Sequence, residues 1–196
     1  MEDYQREIEQ IEHLFSEGDL DELRKLLPPL VEKNIPAAIR ISSSFFEQNI
    51  PEEEMDRIYV EGMFKAAELG DLKAKYQVGV FYDLGEYDIQ EDKVKASYIF
   101  KELSDEGDAH CMWIYACELI WGRGSFPKST EEGLTLLYKA SELGSANACM
   151  TIADFFSDGK FGHQIDLTKR DMFRVKAQEY DDTTYDPYAI QSKPKS

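Results

Sequence analysis

Residues able to do chemistry are present in this chain, but their spacing does not assemble them. His110 stands beside Cys111, the two residue types a thiol nucleophile and its base require. Adjacent side chains on a regular helix point about 100° apart, so no hydrogen bond joins that pair. His110 therefore reads as a solvent-facing or capping residue, and His163, in Gly162-His163-Gln164, as a turn residue. Cys111, Cys117 and Cys149 form no C-x-x-C pair and lie in apolar helical stretches, so they read as buried small hydrophobes. Carboxylates such as Glu131 and Glu132 adjoin one another, but with 39 acids in 196 residues such pairs arise by chance. Asp105-Glu106-Gly107 and Asp158-Gly159 lack the alternating oxygen ligands of a calcium loop. No H-E-x-x-H, Walker-type, G-x-G-x-x-G or G-x-S-x-G motif occurs. The expectation is a chain with no catalytic residue, no metal site and no cofactor.

The charge balance narrows the partner. The net charge is −17, which disfavours a phosphate backbone and an anionic membrane surface. It favours encounter with a basic protein, though the same acidity also keeps a helical protein soluble. No apolar run approaches 18 residues, so no spanning helix is expected. The first residues, MEDYQREIEQ, have neither a basic nor an apolar region of a secretory signal. Three cysteines without a pairing pattern suit a reducing compartment, and the expected location is the cytoplasm.

What positions these residues is a repeat. Gly70, Gly107 and Gly144 lie 37 residues apart, and Gly85, Gly122 and Gly159 keep the same step. Ala74, Cys111 and Ala148 then fall together, as do Gly79, Ala116 and Ala153. Small residues belong where helices approach closely. Positions 75, 78, 79 and 82 follow the i, i+3, i+4, i+7 rule of a helix with one buried stripe. A second helix closes on Ala-Ala-Glu-Leu-Gly at 66–70 and Ala-Ser-Glu-Leu-Gly at 140–144, where glycine takes a left-handed stop. Ser129 and Glu132 read as a capping box. The loops after Gly85, Gly122 and Gly159 are polar connectors.

The pattern Ala-x-x-x-Val-Gly-x-x-Tyr at 74–82, a glycine-containing loop and an alanine-rich helix closing on glycine resembles the Sel-one-like repeat, a relative of the tetratricopeptide repeat. The resemblance implies an all-α fold, a right-handed α-solenoid of stacked antiparallel helix pairs. Repeats are expected at 70–106, 107–143 and 144–179. A divergent copy occupies 34–69, with Asn34 for Gly70, Ser43 for Gly79, Phe46 for Tyr82 and Asn49 for Gly85. Pro51 and the acids after it start its second helix. Residues 1–33 read as an N-terminal hairpin, a degenerate repeat or cap, broken at Gly18 and interrupted or kinked at Pro28-Pro29. Residues 180–196 read as an extended tail whose tyrosines Tyr180, Tyr185 and Tyr188 have the means to dock back. The paired cysteines of the secreted, cysteine-rich members are missing.

The resemblance also implies that first helices line a concave side. With 75, 78, 79 and 82 buried, the opposite face carries a partner-binding set. Its members are Arg40, Tyr76, Trp113 and Met150; Val80 and Asp154; Glu47, Asp83 and Ile120; and Trp121 and Asp158. Aromatics of this kind supply interface hot spots, although Trp113 and Trp121 equally suit a core. The expected function is a non-catalytic protein-binding module. A sharper expectation, by analogy with repeats of this type in toxin–immunity pairs, is an immunity protein neutralising a basic toxin such as a nuclease. The alternatives are a general scaffold or regulatory adaptor in signalling or stress, and, more remotely, a hydrolase using groove carboxylates.

Overall fold

The structure, a computed structural model, describes residues 4–45 and 50–181. Among them are ten α-helices and no strand. The chain divides into two compact units, Met1–Glu91 and Asp92–Ser196. The first holds α1 (Gln5–Glu17), α2 (Leu20–Glu32), α3 (Pro36–Ser43), α4 (Glu52–Glu68) and α5 (Leu72–Leu84). There α3 packs against α1, α2 and α4, and α4 against α5. The second holds α6 (Lys93–Asp105), α7 (Ala109–Trp121), α8 (Thr130–Glu142), α9 (Ala146–Asp158) and α10 (Leu167–Asp181). Each of these packs against the next, and α7 also meets α9.

The helix boundaries follow from a two-residue device. Gly70, Gly107 and Gly144 take φ of 97°, 98° and 101°, which only glycine adopts without penalty. The residue after each has two jobs. The backbone N–H groups of Asp71, Asp108 and Ser145 close the preceding helix on the carbonyls of Ala66, Leu103 and Ala140. Their side chains then open the next helix, accepting from the N–H groups of Ala74, Cys111 and Ala148 at 2.8, 2.7 and 3.2 Å. Each such cap contributes about 1 kcal/mol. Asn34, at φ 55°, stands in for the glycine in the divergent copy, as expected. Asp92 and Asp166 cap the second helices α6 and α10. Ser129 occupies the equivalent place before α8 but makes no side-chain cap bond, contrary to the capping-box reading.

The helix pairs touch through small residues. Ala116 and Ala153 are fully buried and Gly79 is buried too. A Cβ on Gly133 of α8 would lie 2.7 Å from Ile120 Cγ1 and 2.8 Å from the Ala116 carbonyl oxygen of α7. In the first unit, a Cβ on Gly62 of α4 would overlap the side chain of Ser43 on α3. Ser43 is the residue the period aligns with Gly79 and Ala116.

Two expectations are corrected here. Helix α2 runs through Pro28 and Pro29 without interruption. Both prolines are exposed, so the carbonyls they leave unpaired face water while Leu23, Leu27 and Leu30 stay buried. Tyr180 belongs to α10 and not to a tail, with Lys176 Nζ 5.6 Å from its ring centroid. Tyr185 and Tyr188 lie outside the described residues, as do Phe46 and Asn49.

Adding a methyl group to an exposed helical glycine ordinarily stabilises by roughly 1 kcal/mol. At Gly133 the sign reverses. Gly133→Ala is expected to lower stability by about 1–3 kcal/mol, read as a fall in the urea midpoint at unchanged slope. A midpoint that rises would break the close-contact account.

Candidate functional site

The proposed binding face is less open than its periodicity suggests. Arg40, Tyr76 and Val80 of the first unit and Ile120 of the second are buried. These four are corrections, because an interior side chain offers a partner nothing to touch. The one-stripe reading of α5 fails for the same reason. Tyr76, Gln77 and Val80 are buried together with Val78 and Gly79, so α5 is enclosed nearly all round. In the second unit, α7 has three helical neighbours, which leaves it little free surface. Glu47 lies outside the described residues. Asp83, Trp113 and Trp121 are half-buried, whereas Met150, Asp154 and Asp158 are exposed.

Arg40 has a structural occupation. Its Nε donates to both Asp71 oxygens at 3.0 and 3.2 Å, and its Nη2 to Glu12. Glu12 also receives Lys73 Nζ at 2.9 Å. The network joins α1, α3 and the start of α5, with Asp71 capping α5 at the same time. Removing one partner would strand a buried charge, which ordinarily costs about 3–5 kcal/mol.

The two tryptophans divide into different roles. Trp113 lies across α7 and α9, its indole N–H donating to Thr151 Oγ1 at 2.9 Å. The His110 ring stands 5.3 Å away, and exposed Met150 and Asp154 belong to the same helix as Thr151. Trp121 turns into an aromatic cluster, 5.7 Å from Phe155 and 5.6 Å from Phe161. His163 anchors that cluster and is more than a turn residue. Its Nδ1–H donates to the Lys160 carbonyl at 2.9 Å, so Nε2 accepts from the Tyr138 hydroxyl at 2.7 Å.

The connectors read as merely polar each send an aromatic back onto the helices. Tyr87 meets Tyr59 and Phe81, Phe126 meets Tyr98 and Tyr115, and Phe161 meets Phe155 and Trp121. Tyr87 and Phe161 stand 74 residues apart, two full periods, and both take positive φ, 54° and 51°. Side-chain burial is what holds those strained backbones.

Beside Tyr87 the first unit opens a groove of about 760 Å³. Glu53, Asp56, Arg57, Val60 and Glu61 of α4 form one wall, and Glu86, Tyr87 and Asp88 the other. Five carboxylates thus face one guanidinium, and Arg57 is already bound to Glu54. Burial, then Glu86 and Asp56, push the Tyr87 phenol up from its ordinary value. None of these residues is expected in a binding site from the sequence, since they come from two segments, 53–61 and 86–88, with no common spacing.

The thiols are placed for packing. Cys111 and Cys149 are fully buried, and burial drives both upward from the usual thiol range, Cys111 very far. Cys117 is half-buried and pushed up to about 12, first by burial and then by Glu118. His110 turns to Trp113 while Cys111 points inward, so the two do not meet. Among the described residues no cluster of three or more His, Cys, Asp or Glu is placed to hold a metal ion. No described helix is long and apolar enough to cross a membrane.

No family model and no curated protein matches the chain. Solved structures do. A Sel1 repeat protein from Oxalobacter formigenes superimposes with a TM-score of 0.67 at 17% identity, over 88% of this chain and 69% of that one. A protective antigen of uropathogenic Escherichia coli with an SLR fold gives 0.61 at 17% identity, over 80% of this chain and 33% of that one. The architecture is therefore an all-α solenoid of helix pairs. More particularly, its fold is that of the Sel1-like repeat.

Two expectations follow for the side chains. Trp121→Ala is expected to cost about 2–4 kcal/mol of stability, because it empties part of an aromatic core. Trp113→Ala should cost less, near 1–2 kcal/mol, and the order in denaturant titrations tests the assignment. For the thiols, the folded state holds protons more tightly than the unfolded one. Their contribution to stability is therefore complete below about pH 8.5 and is lost as pH rises above it. Cys117 alone should react with an aromatic disulfide reagent in the native chain, roughly tenfold faster per pH unit between 7 and 10. Ready reaction of all three at neutral pH would contradict their burial.

Proposed function

We propose that this chain is a non-catalytic protein-binding module whose partner is a basic protein. The observation that carries the reading is the groove beside Tyr87, where five carboxylates surround about 760 Å³ and the one arginine is already paired. The overall charge of −17 supports it, since a field of one sign raises the encounter rate with a partner of the other. The helix-pair fold supports it as well, because solenoids present extended surfaces. The half-buried indole of Trp113, with Met150 and Asp154 exposed on α9, is the apolar contact of the second unit.

Within this class the sharper reading is an immunity protein that neutralises a basic toxin such as a nuclease. An acidic surface imitates the phosphates such an enzyme is built to bind. A scaffold or adaptor role uses the same surface without mimicry. Three free thiols suit a reducing compartment, which supports the cytoplasm as the location.

The test begins with a partner captured by the full chain and identified, its affinity then measured at 0.15 and 0.5 M salt. The triple variant Glu53→Gln, Asp56→Asn, Glu61→Gln should weaken binding at least tenfold at the lower salt and much less at the higher. Trp113→Ala should weaken it by about 2 kcal/mol if the indole is a hot spot. A partner that is acidic, or an affinity unchanged by both salt and the triple variant, overturns the basic-partner reading.

A further inference from the structure

The surface where α7 meets α9 is set apart by its charges. Neither helix holds a lysine or an arginine. Between them they hold three carboxylates, Glu118, Asp154 and Asp158. Glu118 accepts from Ser97 Oγ at 2.7 Å, and Asp158 accepts from Lys160 Nζ at 2.6 Å. Asp154 is exposed and makes no hydrogen bond or ion pair among the described residues. It caps no helix, and aspartate is a weak former of helix interiors. The fold gains nothing from a carboxylate there.

Trp113 stands beside it. Its indole N–H reaches Thr151, three residues before Asp154, so the ring edge lies about one helical turn, roughly 5 Å, from the place of Asp154 on α9. Met150, four residues before Asp154 and 42% exposed, shares that side of the helix. Indole attracts a cation more strongly than the other aromatic rings do. Elsewhere the chain covers rings with its own lysines. Lys33, Lys101, Lys169 and Lys176 stand 4.9, 5.7, 5.1 and 5.6 Å from the ring centroids of Tyr4, Tyr115, Phe156 and Tyr180. Over Trp113 the described residues place no lysine or arginine.

An indole face, a thioether and an unpaired carboxylate on one surface match one kind of side chain. Arginine lays an apolar stem along Met150, stacks its planar guanidinium on the indole and forks two N–H groups onto the carboxylate. Lysine offers a compact, strongly hydrated charge that suits the carboxylate but not the ring plane.

We propose that the α7–α9 surface is the seat of an arginine side chain of the partner, held between Trp113 and Asp154 with its stem on Met150. The inference rests on the basic-partner reading and names the side chain that the second unit receives.

The test uses the tripeptide acetyl-Ala-Arg-Ala-amide, titrated into the isotopically labelled full chain. Its citrulline and lysine counterparts are run alongside. The readout is the pair of indole N–H cross-peaks, told apart with Trp121→Phe. The expected result is a saturable shift of the Trp113 peak, half complete in the millimolar range, while the Trp121 peak stays in place. Citrulline should bind at least about tenfold more weakly and lysine at least about threefold. Asp154→Asn should weaken the arginine tripeptide at least about fivefold. Glu142→Gln, which removes an equal charge from an exposed residue of α8, should leave its affinity unchanged. No shift at Trp113, an equal shift with citrulline or lysine, or equal weakening by the two substitutions overturns the proposal. So does an equal shift of both indole peaks, which reports a general effect. If the tripeptide fails while a captured partner still binds with salt dependence, this seat falls and the basic-partner reading stands. A captured partner that is acidic overturns that reading and this seat together.

Discussion

The close approach of paired helices governs the rest of the structure. Gly133 lies against the Ala116 carbonyl and Ile120, and Gly62 against Ser43, at separations with no room for another carbon. Helices normally pack with axes about 8–10 Å apart, and small residues at the crossing permit the lower end of that range. Larger side chains then flank the crossing, as Met112, Ile120, Leu137 and Ile152 do in the second unit. A side chain added at the crossing would push all of these out of register together, since an interior packed to crystal density has nowhere to yield.

A second constraint fixes the angle at which one repeat enters the next. The same residue ends one helix with its backbone and starts the following one with its side chain, as Asp71, Asp108 and Ser145 do. Only three residues separate the helices, so the hairpin has almost no freedom left once the glycine takes positive φ. At Asp71 the carboxylate also holds Arg40, so there the turn is tied to α1 and α3 as well. In the same row, Trp113 ties α7 to α9 through its indole N–H and Thr151.

What the sequence discloses follows from which constraints are local. A left-handed backbone position demands Gly or Asn, so Gly70, Gly107, Gly144 and Asn34 mark helix ends without any knowledge of the fold. The small residues at 79, 116 and 153 are legible because they recur at the step of the repeat, and all three are buried. The aspartates at 71 and 108, one residue after the glycines, are an equally local signal, because a helix start needs a side-chain acceptor there. Burial of Arg40, Tyr76, Val80 and Ile120 was not legible, because a period identifies equivalent residues and says nothing of how many helices surround them. Nor was the acidic groove. Its walls come from 53–61 and 86–88, and in so acidic a chain five more carboxylates do not stand out.

That groove and the aromatic surface differ in what they can contribute to binding on the proposed reading. Charges at an open groove act over roughly a Debye length, about 8 Å at physiological salt, and exposed ion pairs contribute at most about 1 kcal/mol each. The carboxylates around Tyr87 therefore act mainly on the rate of encounter and on the exclusion of acidic competitors. Residence must come from apolar area. Trp113 is suited to that role because its polar N–H is already satisfied by Thr151, so covering the ring leaves no donor stranded. Trp121 is not, since its ring is committed to Phe155 and Phe161. A partner matched to this chain thus needs two features: positive charge to be drawn in, and an apolar contact to stay.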